Sequence, residues 1–171
     1  MKFLTPELFV QINGAEGDQA EELYVAWEAA GQAGRAHYAE IMDRIPPKLA
    51  EFLGTVCLHD AEWMGLNVSA ARDGSQAPAA VINVRQSDNV ISLVYDLYEE
   101  PHWSGPSPNS PVWTDDEQLI CLYDEIDLLN DAMFSHEILL SNGKIVRLVF
   151  FQFNFAVSRG FSSLPRVAVP A

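Results

Sequence analysis

Residues 134–151 read FSHEILLSNGKIVRLVFF, two apolar runs that flank Asn142 and Gly143. An Asn-Gly pair in this position is typical of a β-hairpin with a two-residue turn, in which both turn residues take positive φ. Both faces of the predicted hairpin are apolar, so we expect it to lie inside a sheet, with the N-terminal helices covering one side. The pairs that such a turn predicts are Ser141–Lys144, Ile138–Arg147 and His136–Val149.

An alternating pattern begins near residue 55 and predicts an antiparallel sheet. We expect six strands, at residues 56–70, 79–86, 90–98, 118–128, 133–141 and 144–155. Residues 72–78 form a turn-rich connection, and residues 158–171 lack a pattern and are expected to fray.

The first 54 residues have helical patterning instead. Thr5 and Pro6 are typical of a helix start within residues 3–12. Residues 17–43 predict a helix that breaks at Gly31 and Gly34, and residues 47–53 predict a short one. The expected fold is α+β: N-terminal helices packed on an antiparallel, meander-like sheet of about six strands, in one domain over residues 1–171.

The charge is the clearest compositional signal. The chain has 171 residues, with ten Lys and Arg against 24 Asp and Glu, a formal net charge of -14. This sign argues against binding to nucleic acids and to anionic membranes, and it favours a basic protein partner. Residues 1–7 carry no signal-peptide pattern, so we expect a cytoplasmic protein. The sequence leaves the oligomeric state open.

Five residues could form a cluster of imidazole and carboxylate groups: His59, Asp60, Asp124, Glu125 and His136. Such groups can serve as general acid and base or hold a divalent ion. Their spacing matches no metal-binding pattern, and we predict neither a metal site nor a cofactor. The alternative is that these residues are structural and hydrogen-bond to backbone groups.

Residues 99–117 are too long for a routine hairpin loop, and loops of this length are often functional. They contain Trp103 and Trp113, followed by Asp115 and Asp116. Because tryptophan is enriched at binding hot spots, these four residues are candidate binding residues. The alternative is that the rings cap the sheet and the acids form a solvated rim.

Common catalytic and phosphate-binding motifs are missing from the sequence, so an enzyme is not favoured. Cys57 and Cys121 both lie among apolar residues, which predicts buried free thiols.

Several short segments resemble a bacterial domain family of unknown function. They are the N-terminal Phe-Leu-Thr-Pro-Glu run at residues 3–7, the Leu-His-Asp-Ala step at 58–61, the Leu-Tyr-Asp-Glu-Ile strand at 122–126 and the late hairpin. The resemblance implies a bacterial origin and a shared role for the segments around Asp60 and Asp124, and it implies no activity.

Three functions are compatible with these observations. The first is an acidic protein-binding module, such as an immunity-type inhibitor of a basic partner. The second is an enzyme whose His and carboxylate residues converge in one pocket. The third is a small-ligand-binding sheet, with the ligand held between the tryptophan loop and the sheet in an apolar pocket.

Overall fold

The computed structural model describes residues 1–69, 78–106, 110–114 and 116–159. The α+β prediction is confirmed: helices come first, and an antiparallel sheet follows. The helices are α1 (Pro6–Gly14), α2 (Asp18–Ile41), a 3₁₀ turn (Met42–Arg44) and α3 (Pro47–Thr55). The strands are β1 (Glu62–Ser69), β2 (Ala79–Gln86), β3 (Asn89–Leu97), β4 (His102–Ser104), β5 (Cys121–Asn130), β6 (Met133–Leu140) and β7 (Ile145–Arg159).

The sheet consists of two three-stranded meanders that meet at β7. The strand order is β1-β2-β3-β7-β6-β5, and β4 pairs separately with β7. The sheet curls until its first and last strands meet at one end. There the Trp63 amide donates to the Leu119 carbonyl at 2.8 Å, and the Cys121 amide donates to the Ala61 carbonyl at 2.8 Å.

The core lies on the inner side of the curled sheet, and α3 packs into it. Leu49 and Phe52 of α3 are fully buried. The ring of Phe52 contacts that of Phe153 at a centroid distance of 5.2 Å. Burying one such side chain contributes about 1.5–3 kcal/mol, so α3 is a main anchor of the helical part to the sheet.

The other helices lie along the free edge of β5. Trp27 of α2 packs edge-on against Tyr123 of β5 at 4.8 Å, and the Tyr38 hydroxyl accepts a hydrogen bond from the Ile126 amide at 3.1 Å. An uncovered strand edge invites pairing with other chains, and α2 covers this one.

The predicted helix break at Gly31 and Gly34 is wrong, because α2 runs without interruption from Asp18 to Ile41. The Phe3 ring lies 3.6 Å from the position that a Cβ of Gly34 would occupy. This close approach of the N-terminal segment gives Gly34 a packing role inside the helix.

The hairpin is confirmed, but its predicted register is wrong by one residue. His136 pairs with Leu148 instead of Val149, and Ile138 pairs with Val146 instead of Arg147. Gly143 has φ +76°, while the positive-φ residues among the described non-glycines are Asp60 and Ser87, so Asn142 does not take the conformation that a type I′ turn needs. A three-residue loop with its glycine in the left-handed region gives the observed register.

Several further details differ from expectation. Strand β1 begins at Glu62 rather than at residue 56, and the three-residue strand β4 was not predicted. Residues 158 and 159 do not fray, because both pair with β3. Cys121 is buried as predicted, but Cys57 is exposed. Most of the predicted 72–78 connection and the tail from residue 160 lie outside the described residues.

Candidate functional site

Two of the five candidate catalytic residues form a buried relay with a tyrosine. The Asp124 carboxylate lies 3.0 Å from Nε2 of His136, and the Tyr95 hydroxyl lies 2.8 Å from Nδ1 of the same ring. His136 and Tyr95 are fully buried, whereas Asp124 keeps partial contact with solvent. The relay links β5, β6 and β3 across the interior of the curled sheet.

Both ring nitrogens of His136 have a hydrogen-bond partner in this relay. Burial, and then the charge of Asp124, raise the pKa of Tyr95 well above its ordinary value of 10.0, so its hydroxyl stays protonated in its hydrogen bond with Nδ1 of His136. The other ring nitrogen then donates to Asp124. Because His136 has no exposed surface and both its nitrogens are engaged, this geometry suits a structural hydrogen-bonder better than a general base.

Glu125 points to the opposite face of β5 from Asp124, as neighbouring residues of a strand do. Its carboxylate accepts hydrogen bonds from the backbone amides of Phe3 at 2.9 Å and Leu4 at 2.8 Å, and also from the Lys2 amide. Glu125 therefore holds the N-terminal segment against the outer face of the sheet.

His59 and Asp60 lie together in the connection between α3 and β1. Nδ1 of His59 is 2.9 Å from the Asp60 carboxylate, and Nε2 is 3.4 Å from the Tyr123 hydroxyl. Asp60 has φ +63°, a conformation that non-glycine residues seldom adopt. The Gln86 side chain donates to the carbonyl of Cys57 at 2.8 Å, which ties this connection to β2.

The five candidate residues thus form two pairs and a separate carboxylate, on both faces of the sheet. The single convergent pocket that the enzyme hypothesis requires is not found at these five residues. Among the residues that the structure describes, no three His, Cys, Asp or Glu side chains are grouped so that they could hold a metal ion.

The two tryptophans of the long loop have different environments. Trp113 stacks on Phe9 of α1, with ring centroids 5.4 Å apart and planes within 10°. A Cβ on Gly143 would lie 2.7 Å from the Trp113 ring, so the hairpin turn covers its other side. Trp103 is instead 44% exposed, on β4 at the sheet surface.

Of the two acidic binding candidates, Asp116 is exposed and Asp115 lies outside the described residues. Trp103 sits beside Trp63 of β1, whose ring is perpendicular to it. Trp63 is one wall of a shallow groove of about 380 Å³. Sequence reasoning did not connect Trp63 with Trp103, because their contact depends on the curl that brings β1 close to β4.

A second surface was missed, although the sequence carries its signal. Residues 3–34 contain six acids and no Lys or Arg. Four of the acids are exposed on one side of α2 at spacings of three, four and ten residues, positions that share a helix face. Val25 lies among them and is 61% exposed. We call this surface the acidic stripe; it consists of Asp18, Glu21, Glu22, Val25 and Glu28.

A groove of about 340 Å³ runs beside the acidic stripe. Gly31 contributes no side chain there, which leaves the groove open between the rings of Tyr24 and Trp27 and the side chain of Arg35. Tyr24 is 56% exposed. The stripe and this groove together present carboxylates, an aliphatic side chain and aromatic rings to solvent.

Comparison with known proteins gave no match to a protein-family profile and none to a curated protein. The resemblance to a bacterial family of unknown function therefore stays a prediction. Within the described ranges, none of the helices combines the length and the apolar character that a membrane crossing requires.

Proposed function

We propose that this chain is an acidic protein-binding module that recognises a basic protein through the acidic stripe of α2. The observation that carries the proposal is four exposed carboxylates on one helix face, inside a segment of 32 residues, 3–34, without Lys or Arg. None of the four forms an ion pair with a described residue.

Helix stability alone explains only part of the stripe. Carboxylates in the first turn interact favourably with the helix dipole, which accounts for Asp18 and Glu21. Glu28 lies ten residues after Asp18, nearly three turns from the start of the helix and beyond the reach of that effect. A partner that brings its own Lys and Arg side chains would neutralise the whole stripe, and its association would be accelerated by the net charge of -14.

The apolar side chains within the stripe support a specific contact rather than simple charge attraction. Val25 and Tyr24 lie beside the carboxylates and are more than half exposed. Protein interfaces combine such a centre with a polar rim, and tyrosine is enriched among hot-spot residues. The basic partner would place a side chain in the groove over Gly31, next to Glu28.

The biological role that we propose is inhibition of the basic partner, as an immunity-type protein does. An acidic surface that mimics a polyanionic substrate can block a basic active site by charge complementarity. The module would then act in a stoichiometric complex, without a catalytic residue of its own.

The test compares two variants that change the net charge equally. The stripe variant is Glu21→Gln, Glu22→Gln and Glu28→Gln. The control variant is Asp88→Asn, Glu99→Gln and Glu100→Gln, three exposed carboxylates at the ends of β2 and β3. Each protein is used to capture partners, and a captured basic protein is purified and titrated by calorimetry at about 30 and 300 mM NaCl, which changes the screening length about threefold.

We expect the wild type and the control variant to bind the partner with similar affinity. The stripe variant should bind it at least about tenfold more weakly, the equivalent of about 1.4 kcal/mol of binding free energy. Affinity should fall as salt rises. Adding one equivalent of the wild type should inhibit the partner's activity. An equal loss in both variants would show unspecific charge attraction, and binding that is indifferent to salt or to the stripe would refute the proposal.

A further inference from the structure

Arg35 brings a positive charge to the groove beside the acidic stripe. It directly follows residues 3–34, the segment without Lys or Arg. Its side chain is exposed and forms no ion pair with a described residue. Its Nη1 atom lies 3.6 Å from the position that a Cβ of Gly31 would occupy, so the guanidinium reaches back one turn over the glycine.

Four residues that line the groove form one row along α2. Tyr24, Glu28, Gly31 and Arg35 follow one another at spacings of four, three and four residues, which places them on one side of the helix. Since each residue adds about 1.5 Å to a helix, the backbones of Glu28 and Arg35 are about 10 Å apart. Glu28 also lacks an ion pair with a described residue. The groove therefore has a carboxylate at one end, a guanidinium at the other and an open glycine between them.

The deeper walls of the groove are held in place by the sheet. The ring of Trp27 packs against Tyr123 at a centroid distance of 4.8 Å, and the Leu4 amide donates to the Glu125 carboxylate at 2.8 Å. The groove is thus formed before a ligand arrives, which lowers the cost of binding. Its volume of about 340 Å³ falls within the range of about 300–1,000 Å³ that small-ligand sites occupy.

A partner that offers only Lys and Arg side chains does not complement this groove. Such a partner would be attracted by Glu28 and repelled by Arg35, unless it places an anion on the guanidinium. Every polypeptide carries a carboxylate at its carboxyl terminus, and a guanidinium binds a carboxylate through two parallel hydrogen bonds.

We propose that the groove binds the carboxyl terminus of the basic partner. The terminal carboxylate binds Arg35, the last side chain lies over Gly31 beside the aromatic rings, and a Lys or Arg two residues earlier pairs with Glu28. An extended chain spans about 3.3–3.6 Å per residue, so three residues match the separation of the two charges. This inference rests on the proposed function and names the part of the partner that the groove receives.

The experiment is a titration of the full chain with three synthetic peptides. They are acetyl-Lys-Ala-Leu with a free carboxylate, its carboxyl-terminal amide, and acetyl-Ala-Ala-Leu with a free carboxylate. Indole N–H signals in nitrogen-15 NMR spectra report on each of the four tryptophans. We expect the first peptide to shift the Trp27 signal saturably and to leave the other three in place. The amide should bind at least about tenfold more weakly, and the peptide without lysine several-fold more weakly.

Two variants assign the charges, and a third is their control. Arg35→Gln should remove the preference for the free carboxylate over the amide. Glu28→Gln should remove the preference for lysine and keep that for the carboxylate. Both side chains are exposed, so the fold should persist. Arg44→Gln removes an exposed arginine outside the groove, paired with Asp131 at the surface, and should change neither preference.

Equal affinity for the free peptide and its amide would overturn the proposal, because Arg35 would then recognise no carboxylate. An equal effect of Arg35→Gln and Arg44→Gln would show attraction by net charge alone and would also overturn it. The same holds if millimolar peptide gives no saturable shift at Trp27.

The captured partner separates this inference from the function on which it rests. A partner whose affinity depends on the acidic stripe but is unaffected by Arg35→Gln would leave the proposed function intact and refute the contact with the carboxyl terminus. Peptide binding that requires Arg35, in a chain that captures no basic protein, would refute the proposed function and support the carboxylate site.

Discussion

Nδ1 of His136 and the hydroxyl oxygen of Tyr95 lie 2.8 Å apart at the centre of the core, although the two residues belong to strands that are not neighbours. Strand β7 separates β3 from β6, so this hydrogen bond crosses the inner side of the curled sheet. Together with Asp124 on β5, it connects the first meander to the second by polar contacts inside an apolar core.

Removing the Tyr95 hydroxyl tests this connection. In Tyr95→Phe the Nδ1 atom of His136 loses its hydrogen-bond partner in a fully buried site, and an unsatisfied buried group costs about 1–3 kcal/mol. We expect the free energy of unfolding in urea to fall by this amount. Tyr98→Phe is the matched control, because Tyr98 is exposed and should change stability by less than about 0.5 kcal/mol. An equal effect in both variants would mean that the relay adds nothing.

Gly143 is the second position at which a small change of side chain should alter the stability of the fold. Its φ of +76° favours glycine, and an added Cβ would lie 2.7 Å from the Trp113 ring and 2.9 Å from Pro106. We expect Gly143→Ala to lower the free energy of unfolding by about 1–3 kcal/mol through strain and displacement of the indole. The control is Gly54→Ala in α3, where nothing lies within 4 Å of the new Cβ, so stability should stay equal or rise. A stable Gly143→Ala would show that the turn and Trp113 can separate freely.

The hairpin shows how far its sequence was predictive. An Asn-Gly pair between apolar runs correctly predicts that a hairpin forms, because glycine supplies the positive φ of the turn. The pair does not say whether two or three residues form the loop, and one residue more shifts the whole register. Here Leu140, instead of the predicted Ser141, faces Lys144, with the Leu140 amide 2.9 Å from the Lys144 carbonyl, so the residue facing His136 changes from Val149 to Leu148.

Long-range contacts explain the other differences. Two glycines lower the helix propensity of α2, but contacts such as that between Trp27 and Tyr123 hold the helix together across them. The sequence identified Asp124 and His136 but gave no reason to join them with Tyr95. That relation depends on the curl of the sheet, which local patterns do not encode.

Because α2 is a continuous helix, we predict that replacing Gly31 with a better helix former raises the stability of the protein. A Cβ at Gly31 would meet only the end of the Arg35 side chain, at an ordinary contact distance of 3.6 Å. Gly31→Ala should therefore raise the free energy of unfolding by about 0.5–1 kcal/mol, the difference in helix propensity. The control is the reverse substitution, Ala33→Gly, at an exposed position of the same helix. It should lower the free energy of unfolding by a similar amount. A loss in both variants would indicate that Gly31 is required for packing.

The lowered pKa of Asp127 predicts that the stability of the fold depends on pH in the acid range. Burial acts to raise its pKa, but hydrogen bonds and charges from Lys2 and His37 outweigh burial and bring the pKa below the ordinary value of 3.8. Since the folded carboxyl stays ionised to a lower pH than the unfolded one, it stabilises the fold above about pH 4, and this contribution is lost as the pH falls through the folded pKa.

Asp127→Asn should accordingly be about 1 kcal/mol less stable than the wild type at neutral pH, with the gap closing as the pH falls through the folded pKa of Asp127. Urea unfolding at several pH values measures this gap. Asp131→Asn is the control, because its pair with Arg44 is exposed to solvent and should contribute little at any pH. A gap that is independent of pH would show that the substitution acts through packing rather than charge.

The buried thiol of Cys121 predicts the opposite dependence at alkaline pH. Burial, and then the charge of Asp124, raise the pKa of Cys121 from 9.0 to about 12. The unfolded chain releases this proton near pH 9 and the folded chain does not, so stability is complete below pH 9 and declines as the pH rises toward 12. The expected slope is up to about 1.4 kcal/mol per pH unit for one proton.

Cys121→Ala should remove this part of the slope between pH 9 and 11, whatever it does to stability at neutral pH. Cys57→Ala is the matched control, because Cys57 is exposed and its removal should leave the slope as in the wild type. Tyrosines with raised pKa, namely Tyr38, Tyr95 and Tyr123, contribute to the alkaline decline in all three proteins. Identical slopes in all three would mean that water reaches Cys121 and that the curled sheet opens at the end where β1 and β5 meet.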